Sequence, residues 1–301
     1  MIKTDVVIVG SGPSGISAAI YLKRANIPFV IIEKSMPGGK VALTATVENY
    51  PGYKKIDGVE LALKFQEQLT FNDIELTFDN ILSIKKENDE FILEGDFDSY
   101  SAKKVIIATG TKERKLGLDK DDRFYGRGVS FCAICDGSLH KGKEVAVVGG
   151  GNSALEEALY LSSIASKVYI VHRRNEFRGD SILVDKIKST NNIELCTPYI
   201  PYSLNGEVSF EGITIKNVEN ESQKTLNVSS VFVYIGNIPN IEMIKEDVEL
   251  KDGYILVNED METSIEGLYA VGDVRNKKVR QIVTAVNDGA VASLAIEKVL
   301  K

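Results

Sequence analysis

The 301 residues carry 36 Lys and Arg against 43 Asp and Glu, a net charge of −7, which excludes nucleic acid as the main partner because phosphate contacts need a basic face. Hydrophobic residues make up 44% and charged residues 26%, the profile of a globular chain long enough for two domains. No apolar run approaches the roughly 18 residues of a membrane span. Met1-Ile2-Lys3-Thr4-Asp5 runs straight into a strand pattern with no signal segment, so a cytoplasmic location is expected.

Val6-Val7-Ile8-Val9 is a β-branched run of the kind buried on both faces of a parallel sheet. Gly10-Ser11-Gly12-Pro13-Ser14-Gly15 follows, then a helix pattern from about Ser14 to Ala25. A second apolar run, Phe29-Val30-Ile31-Ile32, ends on Glu33. Strand, glycine loop, helix, strand and acid in this order form a Rossmann dinucleotide fingerprint. The first glycine allows the tight turn, the second admits a pyrophosphate to the backbone, and the third lets helix pack on strand. The helix N-terminus adds N–H groups and a positive dipole end. Glu33 is placed to accept hydrogen bonds from a ribose and would repel a 2′-phosphate, which favours FAD or NAD over NADP at this loop.

A helix pattern covers about Gly58 to Phe71, and short strands follow near 74–78, 81–86 and 91–94. Val105-Ile106-Ile107-Ala108-Thr109-Gly110 reads as a buried strand ending in a glycine turn, and the charged stretch from Lys112 to Asp122 as a crossover. Phe131-Cys132-Ala133-Ile134-Cys135-Asp136-Gly137 then holds two of the three cysteines. Thiols two residues apart can close and reopen a small disulfide ring, so the spacing points to redox chemistry or to half of a metal site. No second cysteine pair exists, and His140 and His172 are the only histidines, so no metal is expected. Asp136 adds a group that can take up or return protons beside the sulphurs. The pair lies near the start of a short helix, whose dipole favours a thiolate.

The second half repeats the plan. Glu144-Val145-Ala146-Val147-Val148 leads into Gly149-Gly150-Gly151-Asn152-Ser153-Ala154 and a helix to about Ile164, then the strand Val168–Val171. Here the strand ends in His172-Arg173-Arg174-Asn175-Glu176-Phe177-Arg178. Three arginines replace the acid, and their planar forks match phosphate oxygens, so this loop is read as preferring NADPH. Short strands follow near 197–204, 212–217 and 231–234, broken by Gly236 and Pro239. Gly267–Asp273 is a strand closing on Gly-Asp, and Arg280-Gln281-Ile282 opens a helix to about Leu300. Cys196 sits in a strand pattern and is expected to be a buried filler.

Taken together, Gly10–Gly15, Val47-Glu48-Asn49-Tyr50-Pro51-Gly52, Ala108-Thr109-Gly110, the Cys132–Asp136 cluster, Gly149–Ala154, His172-Arg173-Arg174 with Arg178, and Val271-Gly272-Asp273 with Arg280-Gln281 make the chain closely resemble the low-molecular-weight NADPH-dependent thioredoxin reductases, over essentially its whole length. The resemblance implies an α/β fold of two Rossmann-like, three-layer domains. A discontinuous FAD domain (1–113 and 242–301) would hold an inserted NADPH domain (114–241), in a homodimer. It implies FAD contacts from Gly10, Gly12, Pro13, Ser14, Gly15, Glu33, Lys34, Gly39, Lys40, Asn49, Ala108, Thr109, Gly110, Gly272, Asp273, Arg280, Gln281 and Ile282. It implies NADPH contacts from Gly149, Gly151, Asn152, Ser153, Ala154, His172, Arg173, Arg174, Arg178, Ile235 and Gly236.

By the same resemblance Cys132 and Cys135 carry the redox disulfide, with Cys135 nearer the flavin and Cys132 attacking the partner. Asp136 is the acid/base, and electrons run from NADPH through FAD and the disulfide to thioredoxin. Linkers near 112–114 and 236–240 would let the NADPH domain swivel. One departure is Gly38-Gly39-Lys40, where the family usually has Gln in place of Lys. Lys40 is expected to point to solvent. The competing readings are a relative using ferredoxin or another donor, a dithiol oxidase, and a flavin-bearing sensor without turnover.

Overall fold

The computed structural model describes residues 1–44 and 46–301, with the side chain of Thr46 left aside. The chain divides into two units, one built from Met1–Lys112 and Ile238–Lys301, the other from Glu113–Asn237. Among the described residues no helix is long and apolar enough to cross a membrane.

In the first unit, strands Ile2–Val9, Phe29–Glu33 and Ser99–Ile107 run parallel, in register Val7–Val30 and Val7–Val105. Leu76–Phe78 extends one edge. The other side of the Ser99–Ile107 strand is shared. Its first half pairs antiparallel with Glu90–Gly95, which pairs in turn with Ile81–Glu87, and its last three residues pair parallel with Leu268–Ala270. Val6, Val7 and Ile8 are fully buried because both sheet faces are covered. The helix Pro13–Arg24 lies against the C-terminal helix Ile282–Leu300. Gly289 is the contact point: a Cβ there would lie 2.1 Å from the Ser14 carbonyl oxygen. Burying each large aliphatic of this core contributes about 1.5–3 kcal/mol.

The second unit is a five-stranded parallel sheet in the order Val129–Ser130, Ser230–Tyr234, Glu144–Gly149, Lys167–Val171, Ile193–Cys196. Asn152–Ser162 and Ser181–Ser189 are its main helices. A three-stranded antiparallel sheet of Tyr199–Asn205, Gly212–Asn217 and Gln223–Leu226 packs its inner side chains, Leu204, Ile213 and Ile215, into the core with Val148 and Val233.

The Gly58–Phe71 helix spans the residues its pattern indicates, started by Asp57, whose carboxylate accepts from Val59 N and Glu60 N. The charged stretch read as a plain crossover contains a helical turn, Asp121–Phe124, because Phe124 is buried against the ring of Phe210.

Candidate functional site

In the first unit the glycine loop sits at the carboxyl ends of the parallel strands, where Gly10 N donates to Ile32 O and Ala108 N to Val9 O. Gly10, at φ +105°, would bring a Cβ within 2.5 Å of Ala108 O, and a Cβ on Gly15 would lie 1.9 Å from Gly10 O. Both glycines are therefore required by the protein itself. Gly12 is different. Its φ of −71° suits any residue, and a Cβ there meets nothing within 4 Å. It also starts the Pro13–Arg24 helix, which has no side-chain cap and no acid in its first turn. Open space, backbone N–H groups and a positive dipole end coincide there, which is an anion cradle.

Glu33 is buried beside this loop. Its Oε2 accepts from Ser11 N and Ser11 Oγ, both at 2.8 Å, and its Oε1 from Ser35 N at 3.0 Å and Ser35 Oγ at 3.4 Å. A ribose hydroxyl reaching Glu33 would displace the weakest of these, the Ser35 hydroxyl. Gly272, at φ +78°, closes over the same helix start: a Cβ there would lie 2.6 Å from Ser14 Oγ. Asp273 follows. Its Oδ1 is buried, accepts no hydrogen bond and lies 3.8 Å from Lys277 Nζ. Burial pushes its carboxyl up, against the pull of Lys277, Arg280 and Lys40. Arg280 stacks on Tyr254, with its Nε also buried and undonated. Behind them Asp288 accepts from Gly272 N, Arg275 and Lys277 at 2.7–3.0 Å. Burial opposes the charge on Asp288, but Arg275 and Lys277 prevail and hold the carboxyl low.

Lys40, expected in solvent, is half-buried on the Gly39–Leu43 turn, and its charge acts on Asp273. That turn is anchored to the loop by Gly38 N donating to Ser11 O. Asn49 donates to Gln281 at 3.0 Å, and Thr109 and Asn240 exchange hydrogen bonds of 2.6 and 2.9 Å. Ile282 begins the C-terminal helix, while Lys34 is exposed.

In the second unit Gly149, at φ +153°, would bring a Cβ within 2.5 Å of Tyr234 O. Gly150 is packed on the His172 ring, 2.4 Å from a Cβ position. Gly151, at φ −100°, again meets nothing, and it starts the uncapped Asn152–Ser162 helix. Ala154 is buried against the strands. Asn152 and Asp180 pair twice, and Arg178 N donates to Gly150 O, which lays the 173–180 segment along the loop. Arg173, Arg174 and Arg178 are exposed, and among the described residues none forms an ion pair. His172 stacks on Phe177 beneath the loop, and burial, reinforced by the arginines, pushes its imidazole down toward the neutral form. His140 Nδ1 and Ser229 Oγ are hydrogen-bonded at 3.0 Å. Ile235 and Gly236 are exposed just beyond the Ser230–Tyr234 strand.

Cys132 and Cys135 are joined as a disulfide, their Cα atoms 5.3 Å apart. Cys132 is the N-cap of the short helix Ala133–Asp136, and its Sγ accepts from Cys135 N at 3.1 Å. Cys135 is exposed and Cys132 half-buried. Asp136 Oδ2 accepts from Ser130 Oγ at 2.6 Å, and Ser130 Oγ accepts from Cys132 N at 3.0 Å. Ala133 N donates to Tyr234 Oη at 3.0 Å. On the supporting helix Glu157 has a buried Oε2 with no partner, and burial pushes its carboxyl up to about 7. Cys196 is buried away from this ring, its thiol pushed up by that burial.

Ser11, Lys277, Asp288, Ser130, Tyr234 and Glu157 escaped the reading of the sequence. Ser11, Asp288 and Tyr234 act through partners distant in the chain, for instance Tyr234 on Ala133, and no local spacing marks such pairs, while Glu157 stands out only by its burial. The one local signal was the serine two residues before Cys132, which a search for hydroxyls flanking the ring would have found.

A family model of pyridine nucleotide-disulphide oxidoreductases matches residues 4–289. The thioredoxin reductase of Mycoplasma pneumoniae is 49% identical over 302 residues, covering 98% of this chain and 95% of its own length. Among solved structures, Lactococcus lactis thioredoxin reductase in the FR conformation matches with a TM-score of 0.94 at 37% identity, 98% of each chain being covered. The thioredoxin reductase of T. acidophilum matches at 0.93 and 35% identity over 100% of this chain and 99% of its own.

Proposed function

The chain belongs to the pyridine nucleotide-disulphide oxidoreductases and, among them, to the thioredoxin reductases, and on that premise we propose that it carries electrons from NADPH through FAD and the Cys132–Cys135 disulfide to an oxidised thioredoxin, as a cytoplasmic homodimer. The single observation that carries this is the disulfide ring on the same unit as an open glycine cradle rimmed by three arginines.

The residues of the first unit fit FAD. Gly12 leaves room that no protein atom fills, and Asp273 buries a carboxylate oxygen that lacks a donor, which a ribityl hydroxyl would provide. Glu33, Lys34, Gly39, Lys40, Asn49, Ala108 to Gly110, Arg280, Gln281 and Ile282 complete the assigned set. Gly151 and the helix start behind it fit the pyrophosphate of NADPH, and Arg173, Arg174 and Arg178 its 2′-phosphate. Bound flavin supplies hydride acceptance from a nicotinamide and delivery of the electron pair to a disulfide.

The remaining chemistry belongs to the chain. Opening the ring breaks the S–S bond and takes two electrons and two protons. Cys132 takes the part of the attacking thiolate, as in the family, and the Cys135 N–H points at its sulphur in the closed ring. Its attack on the thioredoxin disulfide forms a bond between the proteins and expels one thiolate. Cys135 then closes the ring and expels the second, and each takes a proton. Asp136 moves these protons. An anaerobic titration of the purified yellow protein tests the scheme. NADPH bleaches the flavin, with about two equivalents filling flavin and disulfide, and NADH does so poorly. A flavin left oxidised by NADPH yet reduced by dithionite would sink the arginine assignment and bring the ferredoxin-type reading forward.

A further inference from the structure

The acid/base role given to Asp136 needs a carboxylate held at the sulphurs through both the open and the closed ring. The helix that carries it, Ala133–Asp136, is a single turn and cannot hold it alone. One side chain contacts both the carboxylate and the cysteine backbone. The Ser130 hydroxyl donates to Asp136 Oδ2 at 2.6 Å and accepts from Cys132 N at 3.0 Å. Ser130 is only 4% exposed and lies in the parallel sheet, opposite Phe232. Its position is therefore fixed by the sheet rather than by the redox loop.

We propose that Ser130 is a positioning residue for thioredoxin reduction, its hydroxyl relaying the Cys132 N–H to Asp136 and holding that carboxylate in reach of the dithiol. The inference rests on the proposed role of Asp136. The chain Cys132 N–H to Ser130 O–H to Asp136 is cooperative, since each donor polarises the next. Of the two acceptors open to the serine proton, Asp136 Oδ2 at 2.6 Å is much nearer than Cys132 O at 3.3 Å, and the tie leaves Asp136 Oδ1 clear for proton exchange with the sulphurs. When the ring opens, Ser130 does not move with it, because its backbone belongs to the sheet. The other titratable groups whose charge couples to Asp136 are His140, on the next turn, and Tyr234, on the strand beneath. Lys143 stands beside His140, and Glu157 and Glu113 reach Tyr234.

The test uses the flavin-loaded enzyme with oxidised thioredoxin, measuring kcat and KM from about pH 6 to 9 for Ser130→Ala, Ser130→Thr, Asp136→Asn and the Ser130→Ala/Asp136→Asn double variant. Ser130→Ala lowers kcat about tenfold. It leaves the KM for thioredoxin unchanged and displaces the pH profile toward that of Asp136→Asn. Ser130→Thr restores both. The double variant is no slower than Asp136→Asn alone, because the serine acts only through the aspartate. Reduction of the flavin by NADPH is unchanged in Ser130→Ala. Ser130→Val, isosteric with Thr, replaces Ala should the smaller side chain pack poorly. A wild-type pH profile in Ser130→Ala, or additive losses in the double variant, overturns the proposal. A wild-type profile in Asp136→Asn overturns the role of Asp136 itself, a separate result.

Discussion

The two glycine loops are built alike through their middle glycines, and the units differ after them. In each, the first glycine is demanded by neighbouring backbone, Ala108 O in one unit and Tyr234 O in the other. The middle ones, Gly12 and Gly151, have ordinary φ values and empty surroundings. Neither backbone strain nor protein packing calls for a glycine there, which agrees with the proposed approach of a pyrophosphate. At the end of the following strand the loops part. Glu33 is buried and tied down by Ser11 and Ser35, whereas Arg173, Arg174 and Arg178 stand in solvent. On the proposed assignment, a fixed acid beside one loop and exposed cations beside the other are what would separate two dinucleotides that share most of their chemistry. Among the described residues each unit also hides one carboxyl oxygen without a partner, on Asp273 and on Glu157.

The comparison breaks most sharply at the middle glycines. Gly12→Val should weaken flavin binding more than about a hundredfold, on the order of 3 kcal/mol, so that the protein purifies colourless yet folded. Gly151→Val should stay yellow but lose reduction by NADPH. Gly10→Val, by contrast, should fail to fold, since its Cβ meets Ala108 O at 2.5 Å. Full flavin occupancy in Gly12→Val would remove the argument. Next come the arginines. Replacing Arg173, Arg174 or Arg178 by Ala should raise the Kd for NADPH about tenfold or more each, the loss of a charge-assisted hydrogen bond, while NADH binding holds steady. Equal losses for both nucleotides would mean that the arginines do not read the 2′-phosphate.

The smallest effect concerns Glu157. Its folded carboxyl is raised to about 7, above its unfolded value, so the neutral form is favoured in the folded state. It costs nothing below about pH 4.5, costs progressively more up to about pH 7, and costs a constant amount above that. Glu157→Gln should therefore raise Tm at pH 8 by a few degrees, on the order of 2 kcal/mol, and leave it unchanged at pH 4.5. An equal gain at both pH values would show that the carboxyl does not titrate as its burial implies.

Both glycine loops, the strands they terminate and the cysteine ring were readable because each is local, a period of apolar residues followed by a fixed spacing. Other features were not. The Ser181–Ser189 helix went unread, its short mixed stretch of Ile, Leu, Val and Lys resembling a strand as much as a helix. The polar half of the Ser99–Ile107 strand was missed because its order comes from ladders on both sides, not from its side chains. Lys40 reads as a surface lysine by type, yet it is half-buried and its charge acts on the carboxylate of Asp273, over two hundred residues later. Ser130 and Asp136 are six residues apart, but nothing in that spacing shows that a sheet aims one at the other.

The first unit is built from two stretches, Met1–Lys112 and Ile238–Lys301, with the whole of the other unit between them in the chain, and this sets an order during synthesis. Its Ser99–Ile107 strand lacks its neighbour Leu268–Ala270, and its first helix lacks Ile282–Leu300, until the ribosome has passed the whole of Glu113–Asn237. The inserted unit has all its strands in hand first. At ~5–20 residues per second the stretch after Asn237 takes about 3–13 s to emerge. Through that interval the fully buried Val105 to Ile107 edge and the small-residue face around Ser14 have no cover of their own. A nascent chain of this design is therefore a natural client for chaperones that shield open sheet edges, and its two halves pass out of that dependence one after the other.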